Sequence, residues 1–178
     1  MLELLTSKQF KTSFITSGEA REFVFSILRY FEQNLVPFLI EMNVSQARDN
    51  IKLLDCIVKL ITNCIKLCML SKAEKMIIFI RKRIFTKIFI KKFLKIFRVV
   101  ESENAFNDSS ISFVRYSLDI LAGHPEIDTF VEIIAFIFDS LLVVNNTDNF
   151  IGSSRFDKLL KMTHSLLLKN KYVLSGKH

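Results

Sequence analysis

Apolar residues recur three and four positions apart almost throughout the chain, and strict alternation of apolar and polar residues is never sustained. The pattern predicts helices and no sheet. In "TSGEAREFVFSILRYFEQNLVPFLIEM", Thr16 stands three residues before Glu19, the spacing of a capping box, so a helix is expected to start there. Phe23, Ile27, Tyr30 and Phe31 form its apolar stripe, and Pro37 is expected to end or kink it. A second helix follows the Ser45 region, with Ile51, Leu54, Ile57, Val58, Ile61 and Ile65 on its buried side. "SKAE" (Ser71 to Glu74) has the same capping spacing and opens a third helix.

"ESENAFNDSS" (Glu101 to Ser110) reads as a polar loop, followed by a short helix around Ile111 to Leu121. In "AGHPE", Gly123 suits a helix C-cap and Pro125 a first turn. A long apolar helix is expected over about 127–144, then the loop "NNTDNFIGSS" and a last helix in "RFDKLLKMTHSLLLKNK". Some six or seven helices joined by short polar loops give an all-α chain, read as a single domain over 1–178. Its expected architecture is a HEAT-like α-solenoid segment or an irregular antiparallel helical stack.

Composition supports that class. Four Gly and two Pro are too few for a barrel or sandwich of many tight turns, and half of the residues are apolar, which excludes general disorder. Trp is absent, so the 18 Phe carry the aromatic volume of the core. No apolar run reaches the roughly 18 residues of a membrane span. The longest candidate, "LLDCIVKLITNCIKLCML", is interrupted by Asp55, Lys59 and Lys66. "MLELLTSKQF" lacks the basic and apolar regions of a secretory signal, so the expectation is a soluble intracellular protein.

Charge changes the picture more than composition does. From Lys72 to Arg98 ten basic residues stand against one acidic residue, Glu74, a local balance of +9 in a chain whose net charge is +7. The basic character is therefore a property of one segment. Within it Arg83, Lys87, Lys91, Lys95 and Arg98 are spaced to share one helix stripe, with Arg81, Lys82 and Lys92 beside them. Ile84, Phe85, Ile88, Phe89, Phe93, Ile96 and Phe97 fall mainly on the other side. Such a row suits phosphate-backbone contact, which needs cations at helical spacing and no base reading. A membrane-surface helix is the second candidate. A solvated face is the third, although it lacks the Glu partners that such faces usually intersperse.

Catalytic chemistry has little to work with. The three His (His124, His164 and His178) stand in no nucleophile–base context, and no glycine-rich phosphate loop occurs. Asp128 and Glu132 sit one turn apart where a helix dipole favours them. Cys56, Cys64 and Cys68 share one helix and find no second cluster to complete a metal site, and Cys64 and Cys68, four apart on one face, read as small buried apolar residues. The expectation is a non-enzyme without cofactor, metal or small-molecule substrate.

Motif order adds a resemblance. "IFTKIFIKKFLKIFRVV" is similar to the family pattern F-R-P-L-F-x-K-L-x-D-W, with Phe85 and Phe89 at its aromatics and Lys92–Phe93 at its Lys–hydrophobe. The pattern's Pro and Trp are missing, with Ile88 and Phe97 near those places. "ISFVRYSLDIL" resembles the helix that follows it. "NFIGSSRFDKLLKMTHSLL" resembles F-I-S-x-x-R-F-x-x-L-L-x-P-L, with Phe150, Ile151, Ser153, Arg155, Phe156, Leu159 and Leu160 in register and Met162 where Pro is usual. Over roughly 53–168 the chain thus resembles the C-terminal domain of the large HEAT-repeat protein of the U3 snoRNP, part of the small-subunit processome. Members of that family are far longer, with a HEAT array ahead of this domain. The resemblance implies a nuclear, nucleolar protein of ribosome biogenesis that assists 18S rRNA maturation. Its implied partners are U3 snoRNP and processome proteins, with pre-rRNA or snoRNA backbone as a further candidate. A helical adaptor of another class, such as a Bcl-2-like bundle holding a partner helix, is the alternative.

Overall fold

The computed structural model describes residues 1–100, 104–121 and His164. The described residues are helical almost throughout: α1 (Leu2–Thr6), α2 (Lys8–Thr16), α3 (Gly18–Tyr30), α4 (Val36–Glu41), α5 (Val44–Asp49), α6 (Ile51–Leu70), α7 (Glu74–Phe79), α8 (Lys87–Val100) and α9 (Asn104–Leu121). Two π-helical stretches, Phe31–Leu35 and Ile80–Ile84, join α3 to α4 and extend α7. No strand occurs among the described residues, which form an all-α helical stack. The expectations for His124, the helix over 127–144, the loop 145–154 and the last helix lie outside the described residues. The exception is His164, which is helical and exposed.

The stack is organised around α6. Its sequence is apolar on most of its circumference, and Leu54, Ile57, Val58, Ile61, Cys64, Ile65, Leu67 and Cys68 are all buried. A helix of that kind has to be covered on several sides. α1, α3, α5, α7 and α9 all pack against it, and α9 makes the most extensive contact. α8 lies outside this ring, held by α4 and α5.

Helix ends depart from the expected caps. Thr16 donates its hydroxyl back to the Thr12 carbonyl, and Ser17 is the N-cap of α3 without a side-chain bond. Ser71 likewise donates to the Leu67 carbonyl, and Ala73 precedes α7. Neither expected capping box forms, because each hydroxyl satisfies the turn before it. The box that does form is Asn43–Gln46 at α5, with both reciprocal bonds at 2.9 Å. Lys72 turns the chain between α6 and α7 in the left-handed region, with φ 52°.

Along α3 the buried stripe is Val24, Ile27, Leu28 and Phe31, while Phe23 and Tyr30 are exposed. Pro37 neither ends nor breaks the helix. The preceding π-helical stretch widens the turn, with the Val36 N–H reaching the Phe31 carbonyl, and helix continues to Glu41. A proline ring crowds the carbonyl four residues back and cannot donate to it, and the wider turn absorbs that mismatch. The polar stretch expected as a loop over 101–110 is helical from Asn104 onward. Ser109 in it donates to Asp55 of α6, and Asp55 also pairs with Lys59.

Two predictions concern this core. Leu54 is fully buried and its neighbour Leu53 is 46% exposed. Leu54→Ala is expected to cost about 2–5 kcal/mol and Leu53→Ala about 0.5 kcal/mol or less, as read by urea unfolding. Second, burial pushes the Cys68 thiol up from the ordinary 9.0 to about 12. Burial, with Cys68 beside it, also raises the Cys64 thiol. Below the ordinary thiol value both states keep these protons; above it only the unfolded chain releases them. Stability is thus complete below about pH 9 and falls as pH climbs toward 12. Cys64→Ala with Cys68→Ala is expected to flatten that part of the pH dependence of the urea midpoint.

Candidate nucleic-acid interface

The basic segment is two helical pieces. After Glu74, helix runs through α7 into Ile80–Ile84, where the Phe85 N–H reaches the Ile80 carbonyl at 2.8 Å. Phe85 then leaves helical geometry (φ −83°, ψ 49°) and Thr86 restarts it. The Thr86 hydroxyl accepts from the Phe89 N–H at 3.3 Å, and its carbonyl accepts from Ile90 at 3.0 Å. That is an N-cap, so α8 begins afresh at Lys87.

The break divides the expected stripe. Arg83 belongs to the π-helical stretch and reaches across to Glu32 of the other π-helical stretch at 3.0 Å. Arg83 is thus paired with Glu32 while remaining largely exposed, and it sits on a separate piece of helix from the lysine row. Arg81 is half-buried, and its Nε lies buried with no hydrogen-bond partner among the described residues. Lys82 is exposed. On α8, Lys87, Lys91 and Lys95 are exposed, and Lys92 is half-buried. Spaced four apart, the three exposed lysines drift by only about 40° per step around the helix. Arg98 lies in α8, with its side chain outside the described residues, as does that of Phe97.

The opposite side of α8 is a packed aromatic seam. Phe89 and Phe93 stack at 5.1 Å, and Phe93 meets the Phe113 edge at 4.9 Å. Phe85 reaches Phe113 at 5.7 Å, and Phe31 meets Phe89 at 6.2 Å. Ile84, Ile90, Leu94 and Ile96 are buried alongside. Ile88 departs from the expected burial: it is 69% exposed. At roughly 100° per residue it falls among Lys91, Lys92 and Lys95, on the outer face. The lysine row therefore carries an apolar side chain in its midst.

No acidic residue occurs in α8. Chemically, such a face can neutralise phosphates or meet an anionic surface. Among the described residues no group of three His, Cys, Asp or Glu side chains is placed to hold a metal. Likewise no described helix is long and apolar enough to cross a membrane. Cys64 and Cys68 are buried in α6 and Cys56 is exposed.

A second polar feature escaped the sequence reading. Lys59, Thr62, Asn63 and Lys66 of α6 face Ser109, Ser112 and Tyr116 of α9 across a cleft of about 300 Å³. Its signal was present as two polar stripes at three- and four-residue spacing, one of them hidden in the stretch assigned to a loop.

Comparison with protein-family models, with curated proteins and with solved structures finds no match for this chain.

The cap at Thr86 is testable. Thr86→Ala is expected to cost about 1 kcal/mol, measured by urea unfolding, with Thr86→Asn retaining near wild-type stability.

Proposed function

We propose that this chain is a non-catalytic binding and assembly module that docks RNA through the outer face of α8. The observation that carries the reading is the row Lys87, Lys91 and Lys95, exposed together on a helix with no acidic residue. Cations at this spacing neutralise successive phosphates, and the aromatic seam beneath fixes the helix that presents them. Lys82 extends the basic surface on the preceding piece of helix. The setting follows from the motif resemblance: ribosome biogenesis in the nucleolus, beside U3 snoRNP and processome proteins, in the maturation of 18S rRNA. A stack built round one covered helix suits such a role, because it offers a rigid platform.

Ile88 favours a second reading. An exposed isoleucine within a lysine face also fits an anionic membrane surface, where the side chain enters the headgroup region.

Both readings meet in one experiment. Wild-type chain is titrated with a single-stranded RNA oligonucleotide at several salt concentrations, and in parallel sedimented with vesicles of anionic lipid. RNA docking predicts a slope of about −2 in log affinity against log salt, as for three phosphate contacts on a single strand. Lys87→Glu, Lys91→Glu and Lys95→Glu together are expected to lower RNA affinity about tenfold or more at low salt. Affinity that is absent at low salt, or flat with salt, would sink RNA docking. Vesicle binding lost in Ile88→Ser with RNA binding intact would establish the membrane surface as a separate activity. For the setting, a tagged chain from cells is expected to bring down U3 RNA with processome proteins.

A further inference from the structure

The α6–α9 cleft has the chemistry of a phosphate site. One wall is the polar stripe of α6 and the other the hydroxyl-bearing side of α9, enclosing about 300 Å³. That volume is at the lower end of small-ligand sites. No carboxylate lines it. Just beside it Asp55 is already engaged twice: one oxygen accepts from Ser109 and the other pairs with Lys59. One lysine of the cleft is thereby neutralised, and Lys66, half-buried deeper along α6, supplies positive charge that no lining group opposes.

Thr62 supplies the independent observation. Its side chain is 8% exposed, and its hydroxyl is buried with no hydrogen-bond partner among the described residues. Threonines inside helices ordinarily donate to the carbonyl one turn back, as Thr6, Thr12 and Thr16 do in this chain. Thr62 does not, although it lies in the middle of the longest helix described. A buried hydroxyl without a partner costs stability, and a ligand oxygen that accepts from it removes the cost. Asn63 and Ser112 add further donors along the same cleft. A cation, two hydroxyls and an amide, with no carboxylate among them, suit a multivalent oxygen acceptor.

We propose that the α6–α9 cleft binds the phosphate group of a small phosphomonoester, with Lys66 providing charge and Thr62 and Ser112 donating hydrogen bonds. Tyr116 closes one side, half-buried against the core. The site uses only α6 and α9, so it stands or falls apart from RNA docking on α8.

The test uses the full chain and two probes, inorganic phosphate and phosphoserine, titrated by calorimetry at constant ionic strength. Saturable binding of either probe is expected, with a dissociation constant on the order of millimolar. Lys66→Ala is expected to weaken it at least fivefold. Thr62→Val, which keeps the shape and removes the hydroxyl, is expected to weaken binding about threefold or more. The same variant is expected to unfold at an equal or higher urea concentration, because the hydroxyl it removes has no partner. Lys8→Ala, on α2 away from both α8 and the cleft, is expected to bind both probes as wild type does. Absence of saturable binding overturns the proposal. So does wild-type affinity in both cleft variants, or an equal loss in Lys8→Ala, which marks diffuse attraction to net charge. A Thr62→Val chain that unfolds markedly earlier also counts against it, since the hydroxyl then had a structural role.

Discussion

A helix that is apolar around most of its circumference can persist in water only inside a jacket of other helices, and α6 sets that condition for this chain. Leu54, Val58, Ile61, Ile65 and Cys68 are buried on it, and Ile57, Cys64 and Leu67 extend the covered surface round its sides. Coverage comes from both ends of the described sequence: α1 from the first residues, α9 from the last continuous stretch, and α3, α5 and α7 between. The short helices around α6 are individually too brief to be stable in water and depend on this packing. The covered helix is also where polar chemistry concentrates, because the side chains that α9 leaves incompletely matched open a cleft instead of core.

The basic segment shows the same dependence. Its cations stand outward because Phe85, Phe89 and Phe93 are drawn inward to Phe113 and Phe31. The aromatic seam chooses the rotation of α8, and the lysines take the remaining face. Where helical geometry breaks at Phe85 and Thr86, the charge row is interrupted too, and Arg83 pairs with Glu32. One acidic side chain of the other π-helical stretch thus pairs with one cation of the basic segment.

Fold class was legible because periodicity is a property of each helix alone: the buried set of α6 was readable from Leu54 to Ile65, with Ile51 only half-buried. Features that depend on competition or distant contact were less legible. Thr16 and Ser71 had the spacing of capping residues, yet their hydroxyls bond to the preceding turns. Asn43 and Gln46 form the box that was passed over. The polar residues after Asn104 read as a loop, since the bond from Ser109 to Asp55 crosses 54 positions that no local window contains. In the candidate interface, Lys87, Lys91 and Lys95 were visible as a row, whereas the break at Thr86 was not. Composition runs unchanged across it, and only backbone geometry records the restart. Ile88 was misplaced for a related reason: α8 is narrow enough in its buried arc that Phe89, Ile90, Phe93, Leu94 and Ile96 fill it.

Anchoring α8 by its aromatic side has a consequence in entropy. A lysine row on a flexible tail must surrender backbone freedom each time it meets a polyanion, at roughly 1–2 kcal/mol per ordered residue. On α8 that loss has already occurred during folding, so an encounter orders only the outer stems of the lysines, at about 0.5–1.5 kcal/mol each. Thr86 fixes where the ordered stretch starts, and with it the point from which successive cations are counted at about 6 Å intervals along the axis. The spacing of the exposed lysines is therefore set from one hydroxyl, that of Thr86.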